Sequence, residues 1–291
     1  FYRTYMGGSA MGMHYVLKET PVGVDPFSPD NVLALCTGIL TGTPISGQSR
    51  LTSVAKSPLT GCIGDAQGGG YFPAEMKFSG FDAVIVKGRS PKPVYLWLHH
   101  GEAELCDAGH LWGLTTGDAE EKLKEELDDK RIEVLQIGPA GENLVRFSAL
   151  ISMSNRANGR TGMGAVMGSK NLKAVVVRGK MKPAIANPEK FKEIQKLAKV
   201  NLEPTGMDGF GKYGTPGVTT PQHRAGGLPT YNFNSGNFDK HEEIDGHKLY
   251  NEHLRGHEKD DQNRFGRDTC FSCSIKCKRV SEVDEGPFKT D

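Results

Sequence analysis

The sequence predicts an α+β chain, with a β-rich domain over residues 1–182 and the start of a mainly helical domain over residues 187–291. Three observations carry that expectation. Short runs rich in Val, Ile and Leu recur through the first 180 residues, each about as long as a strand. Glycine is abundant, 37 of 291 residues, and falls in separate stretches with no fixed period, so it marks loops and not a repeat. Beyond Lys182 the spacing of apolar residues changes from strand-like to helical.

Taken in order, the strand expectations are residues 31–36 (NVLALC), 83–88 (AVIVKG), 94–99 (VYLWLH), 132–138 (IEVLQIG), 145–151 (VRFSALI) and 174–179 (AVVVRG). One surface helix stands out among them. In TTGDAEEKLKEELDD, Ala119, Leu123 and Leu127 fall on one face and acidic and basic residues cover the others. A boundary is expected at about 180–187, where Asn187 and Pro188 provide an N-cap and a first helical residue for Phe191, Ile194 and Leu197. The stretch from 211 to 238 is rich in Gly, Pro, Thr and Asn and is expected to lie against a partner surface.

Charge is nearly balanced, with Lys+Arg 36 against Asp+Glu 35, so no basic field points to nucleic acid and any anion site must be local. No apolar run approaches the roughly 20 residues of a membrane span, and the first residues carry no signal-peptide core. A reducing, cytoplasmic setting without membrane attachment is the expectation. The chain begins at Phe1 without a methionine and stops in the polar EVDEGPFKTD, so a portion of a longer protein is expected.

Cysteine is the next signal. Cys270, Cys273 and Cys277 form a C-x2-C-x3-C pattern, with Cys36, Cys62 and Cys106 scattered before them. Three thiolates from one tight loop suit three corners of an iron–sulfur cube or three positions around zinc. Arg267, Lys276, Lys278 and Arg279 surround them, and positive charge favours the thiolate form. Cys36 and Cys106 read as core residues. His253 and His257, at i and i+4, could share a helix face and act as further ligands, or be simply solvated.

The segment 154–182 holds seven basic residues, Arg156, Arg160, Lys170, Lys173, Arg178, Lys180 and Lys182, and no Asp or Glu. Its glycines, Gly159, Gly162, Gly164 and Gly168, would let backbone N–H groups approach phosphate oxygens, and arginine supplies bidentate pairing. A basic surface loop is the plainer alternative. Residues 46–72 repeat the ingredients with Arg50, Lys56 and Gly68-Gly69-Gly70, and two such loops suggest one extended polyanionic ligand.

TGTPISGQSRLTSVAKSPLTGCIGDAQGGGYFPAEMKFSGFDAVIVKG, LQIGPAGENLVRFSALI, NRANGRTGMGAVMGSKNLKAVVVRGK and CFSCSIKC resemble, in that order, the N-terminal half of the aldehyde:ferredoxin oxidoreductase family, and the resemblance covers essentially the whole chain. It implies a β-rich cofactor-binding domain under a tungsten (or molybdenum) bis-pterin. Two pterin phosphates would be joined through a magnesium ion (Mg2+), with a [4Fe-4S] cluster beside one pterin. By similarity, Arg50 would sit between cluster and pterin. Gln67 and Ala157 would offer carbonyls to the magnesium, and Gly69, Arg156, Gly159 and Arg160 match pterin-binding positions. Cys270, Cys273 and Cys277 match cluster ligands; the fourth thiolate and the proton-transfer residues would lie in a C-terminal half. Ser9 stands where relatives commonly carry Arg. The implied activity is oxidation of a small aldehyde to its carboxylic acid, with electrons leaving to ferredoxin or a ferredoxin-like subunit in a homo- or hetero-oligomer. Sister reactions on the same scaffold, aromatic acyl-CoA reduction or glyceraldehyde-3-phosphate oxidation, and a non-catalytic iron–sulfur or zinc fragment are the alternatives.

Overall fold

The strands of the first 180 residues sort into two sheets. In the computed structural model, which describes residues 1–200, 205–283, 285–287 and 289–290, the chain is α+β. It divides into two compact units, Phe1–Thr43 with Gln48–Ala184, and Pro44–Gly47 with Ile185–Asp291. The first unit runs α1 (Gly8–Glu19), β1 (Leu33–Thr37), β2 (Leu51–Lys56), β3 (Ile63–Gly68), α2 (Phe72–Phe78), β4 (Ala83–Val86), β5 (Val94–His99), β6 (Glu102–Asp107), α3 (Thr116–Glu126), β7 (Glu133–Gln136), α4 (Pro139–Glu142), β8 (Leu150–Ser152), β9 (Arg156–Asn158), α5 (Met163–Ser169) and β10 (Leu172–Arg178).

One sheet is four-stranded and antiparallel, in the order β3-β2-β1-β4. The other has six strands in the order β6-β5-β10-β7-β8-β9, with β10 and β5 parallel and the other pairs antiparallel. Period-two alternation decides which face meets which core. Leu33 and Leu35 of β1 point into the main core with Val175 and Val177 of β10, while Ala34 and Cys36 point to Met11 and Val16 of α1. Ala174 and Val176 of β10 face the other way, toward Leu123 of α3. A strand buried on both faces reads as a continuous apolar run, which is why AVVV was legible as a strand.

Two expectations failed for physical reasons. Residues 46–72 contain β2 and β3, because β3 turns Gly64, Ala66 and Gly68 inward and so carries no large apolar residue at its buried positions. A Cβ on Gly64 would lie 2.6 Å from Met163 Cε, so the small residue is required there. The stretch 145–151 is strand only from Leu150. Its carbonyls serve α5 instead: Gly164 N–H donates to Ser148 O at 3.0 Å. Helix α1 carries its apolar stripe through a glycine; a Cβ on Gly12 would meet Val54 Cγ2 at 2.6 Å.

The second unit is built from short helices: α6 (Pro188–Val200), α7 (Met207–Tyr213), α8 (Thr219–Arg224), α9 (Gly246–Lys248) and α10 (Gln262–Phe265), with a ribbon of β11 (Arg267–Asp268) and β12 (Lys278–Arg279). Asn187 Oδ1 accepts from Lys190 N–H at 3.0 Å, which caps α6. Among the described residues, no helix is long and apolar enough to cross a membrane.

Glu133 of β7 is half-buried, and burial, reinforced by the nearby Glu120 and Glu75, pushes its carboxyl up to about 7. In the unfolded chain it ionises near ~4.3. Between those values the folded state holds the extra proton, so its contribution falls as pH rises from about 4.5 to 7 and stays low above. Glu133→Gln is expected to flatten that decline and to raise stability at pH 8 by on the order of 2 kcal/mol. Urea unfolding as a function of pH checks this; an unchanged profile would show that Glu133 ionises normally in the fold.

Candidate functional site

The seven basic residues of 154–182 do not act alike. Lys173 is fully buried and pairs with Glu142 at 2.5 Å, while also donating to Leu114 O at 3.1 Å. Lys170 is buried too, its Nζ 3.1 Å from the carbonyls of Pro29 and Gly88, and burial, then the neighbouring Arg89, lowers its ammonium to about 8. Arg178 pairs with Glu75 at 2.7 Å and Asp129 at 2.8 Å. In the earlier loop, Lys56 donates to Val24 O. These four cations hold the protein together and are not available to a ligand. The guanidinium groups of Arg50 and Arg160, by contrast, form no hydrogen bond or ion pair among the described residues, and both residues are exposed.

The glycines divide in the same way. A Cβ on Gly162 would lie 2.0 Å from Arg146 O, on Gly164 2.5 Å from Ala149 O, and on Gly168 2.1 Å from Gly141 O. All three exist because α5 rests directly on backbone, which corrects the expectation that they approach phosphate. A Cβ on Gly159 would meet nothing within 4 Å.

What remains converges on one edge. β3 and β9 are the outer strands of their sheets, and they meet: a Cβ on Gly68 would lie 2.2 Å from Asn158 Oδ1 and 3.5 Å from the Ala157 carbonyl carbon. Asn158, buried, places Nδ2 within reach of Leu51 O (3.2 Å), Ser53 Oγ (3.3 Å) and Ala66 O (2.9 Å), joining β9 to the four-stranded sheet. Sequence reasoning missed this residue, since nothing distinguishes it from its loop neighbours. Gln67 and Ala157 are exposed on the two strands, Gly69 is half-buried just past β3, and Arg156 is buried at the start of β9. Register puts Leu51 opposite Gly68, so Arg50 belongs to this same end, where Ser49 Oγ donates to Gly70 O at 2.7 Å. From Ala157 the chain continues alongside β3 to Arg160 (φ 63°) and Thr161 (φ 57°), whose carbonyl accepts from Ser57 Oγ at 2.7 Å. Both loops singled out in the sequence therefore supply one surface, with two uncompensated guanidinium groups and an open glycine. Those features fit an extended phosphate-bearing ligand.

In the second unit the β11–β12 ribbon closes a loop that carries all three clustered cysteines, each half-buried. Cys273 N–H donates to Cys270 O at 3.0 Å, Thr269 Oγ1 donates to Cys273 O at 2.8 Å, and Ser272 and Lys276 are left-handed. Arg267 Nη2 donates to Ile275 O at 2.9 Å, and Arg279 Nη2 to Gly211 O at 2.7 Å. Both guanidinium groups thus shape the loop backbone while leaving their charge beside the thiols. Among the described residues, the ligand atoms of His99, Glu102 and Glu104 all lie within 4.8 Å of one another. Cys36 is fully buried, and burial pushes its thiol up to about 12. His253 and His257 fall in separate short turns, with His257 Nδ1 2.9 Å from Leu254 O, so they share no helix face.

Comparison with known proteins bears on both regions. Residues 1–179 match the family described as aldehyde ferredoxin oxidoreductase, N-terminal domain, and residues 190–291 match aldehyde ferredoxin oxidoreductase, domains 2 & 3. The tungsten-containing aldehyde ferredoxin oxidoreductase of Pyrococcus abyssi is 42% identical over 99% of this chain and 47% of its own length. That of Pyrococcus furiosus is 37% identical over 98% of this chain and 47% of its length. The chain thus spans about half the length of these curated relatives. Among solved structures, the active-site complex BamBC of benzoyl coenzyme A reductase, bound to 1,5-dienoyl-CoA, superposes with a TM-score of 0.75 at 28% identity, covering 98% of this chain and 44% of that one.

The split among glycines is testable without any ligand. Gly168→Ala is expected to destabilise the protein by more than about 2 kcal/mol, because backbone must move. Gly159→Ala should change stability by less than about 0.5 kcal/mol. Thermal unfolding of both variants without ligand checks the pair.

Proposed function

The chain belongs to the aldehyde ferredoxin oxidoreductase family, and from that premise we propose that it is the N-terminal half of a tungsten (or molybdenum) bis-pterin enzyme. That enzyme would oxidise a small aldehyde to its carboxylic acid and pass the electrons through a [4Fe-4S] cluster to ferredoxin or a ferredoxin-like subunit, in a homo- or hetero-oligomer. The observation that carries the reading is the meeting of β3 and β9, which brings both glycine loops and the uncompensated Arg50 and Arg160 to one surface. Arg156, Gly159, Arg160 and Gly69 would hold pterin phosphates, and the carbonyls of Gln67 and Ala157 would hold Mg2+. Arg50 would itself be the fixed cation between pterin and cluster, stabilising negative charge on both. When bound, the metal–pterin group supplies the two-electron chemistry, and a cluster lets that meet a one-electron acceptor.

Cys270, Cys273 and Cys277 would ligate the cluster. Three thiols from one short loop suit a cube corner by corner, and a single zinc ion is the alternative that the metal content decides. The fourth thiolate and the proton-transfer residues would come from the part of the relatives' length that this chain does not span. A sister reaction on an acyl-CoA has support from the benzoyl coenzyme A reductase neighbour, yet its 28% identity falls below the 42% of the aldehyde-oxidising relative.

Full-length protein purified without oxygen is expected to contain about one tungsten or molybdenum, two pterins and about four irons per chain. Zinc alone, or iron without pterin, would overturn the assignment. Arg160→Ala should lower pterin content while leaving the unfolding temperature of the pterin-free protein unchanged, and Cys273→Ser should lower iron and leave pterin in place. Lys173→Ala should instead unfold the protein, because removing one partner strands a buried carboxylate at a cost of about 3–5 kcal/mol.

A further inference from the structure

β5 and β6 form a hairpin whose two connecting residues, His100 (φ 49°) and Gly101 (φ 87°), are both left-handed, as a tight two-residue turn requires. The turn sets the register: His99 opposes Glu102, and Trp97 opposes Glu104. With period-two alternation, those four side chains share one face of the hairpin, on the outer strand of the six-stranded sheet and the strand next to it. His99 Nε2 lies 2.8 Å from Glu104 Oε1, and the ligand atoms of His99, Glu102 and Glu104 all lie within 4.8 Å of one another. The His99 ring stacks on Trp97, with centroids 5.0 Å apart and planes 25° from parallel, which fixes the direction of Nε2.

Charge at this spot is not otherwise balanced. Arg178 is opposite His99 in the neighbouring strand, but Glu75 and Asp129 already take both sides of its guanidinium. Among the described residues, neither Glu102 nor Glu104 has a lysine or arginine partner. One imidazole and two carboxylates, directed to one point by a rigid turn, form a ligand set of the kind that zinc and its first-row neighbours take.

We propose that the tip of this hairpin is a surface site for a first-row divalent transition ion such as Zn2+, held by His99 Nε2 and by carboxylate oxygens of Glu102 and Glu104, with water completing the shell. Metal binding requires Nε2 without a proton, so any proton on it leaves to solvent as the metal enters and the neutral ring carries its hydrogen on Nδ1. Metal–ligand bonds of about 2.0–2.2 Å require the two glutamates to draw inward, which exposed side chains do by changing rotamer. The site is independent of the pterin and cluster reading, and it involves none of the same residues.

Equilibrium dialysis of the intact, anaerobically purified protein against Co2+ tests it. Wild type is expected to bind about one more equivalent of cobalt than His99→Ala. Glu104→Gln should weaken that equivalent by on the order of tenfold or more. His110→Ala is the internal control, because His110 has a single glutamate partner, Glu126, at 2.9 Å and belongs to no group of three; its stoichiometry should equal that of wild type. Thermal unfolding in the absence of metal checks that each variant folds. Equal binding by wild type and by a folded His99→Ala protein would overturn the proposal, as would an equal loss in His110→Ala.

Discussion

Backbone-to-backbone contact between α5 and the segment 141–149 is the constraint on which the first unit depends. Gly162, Gly164 and Gly168 each sit where a single added carbon would come within 2.5 Å of a carbonyl oxygen. Helix α5 can therefore lie flat against that segment, and its other side delivers Met163, Val166 and Met167 into the main core. The buried Lys173–Glu142 pair holds α4 in the position that makes this contact possible, because Glu142 also accepts from Gly113 N–H at 2.8 Å. Once α5 is seated, the residues just before it have no freedom to wander. They run along β3, pinned at one end by Asn158 and at the other by the hydrogen bond from Ser57 to Thr161.

Legibility in the sequence followed the size of the inward-facing residues. Strands β1, β5 and β10 bury Leu, Tyr and Val, and their apolar runs were visible. Strand β3 buries glycine and alanine, so the same geometry left no hydrophobic trace. Helix α1 was missed for a related reason, since Gly12 stands at the point of closest approach to Val54. The glycine-rich composition was thus correctly seen as a sign of close approach. In most positions what approaches is the protein's own chain.

The candidate site shows the same limit from the side of charge. A local excess of basic residues is readable from sequence, but which of them face a ligand depends on acidic partners far away in the chain. Arg178 finds Glu75 across 103 positions, and Lys173 finds Glu142 across 31. Arg160 finds no such partner among the described residues, and neither does Arg50. The family resemblance points to those two arginines and to Arg156, while exposure alone would add Lys180 and Lys182 of the same basic segment. The cysteine cluster is a local pattern, C-x2-C-x3-C, and the β11–β12 ribbon keeps all three of its residues in one loop.

This sorting has a consequence for how the surface would work. An arginine with an internal partner spends its charge on the fold, and a ligand could recruit it only by breaking that pair. An exposed arginine held in place by neighbouring backbone keeps its charge for whatever arrives, and loses little side-chain freedom to a bidentate phosphate contact. Placing the structural cations at the end of β2, just after α5 and in β10, and the free ones on the loops that precede β2 and α5, separates the two tasks. The first set can be optimised for stability without weakening the second, and the second can stay unpaired because the first has already fixed the backbone on which it is mounted.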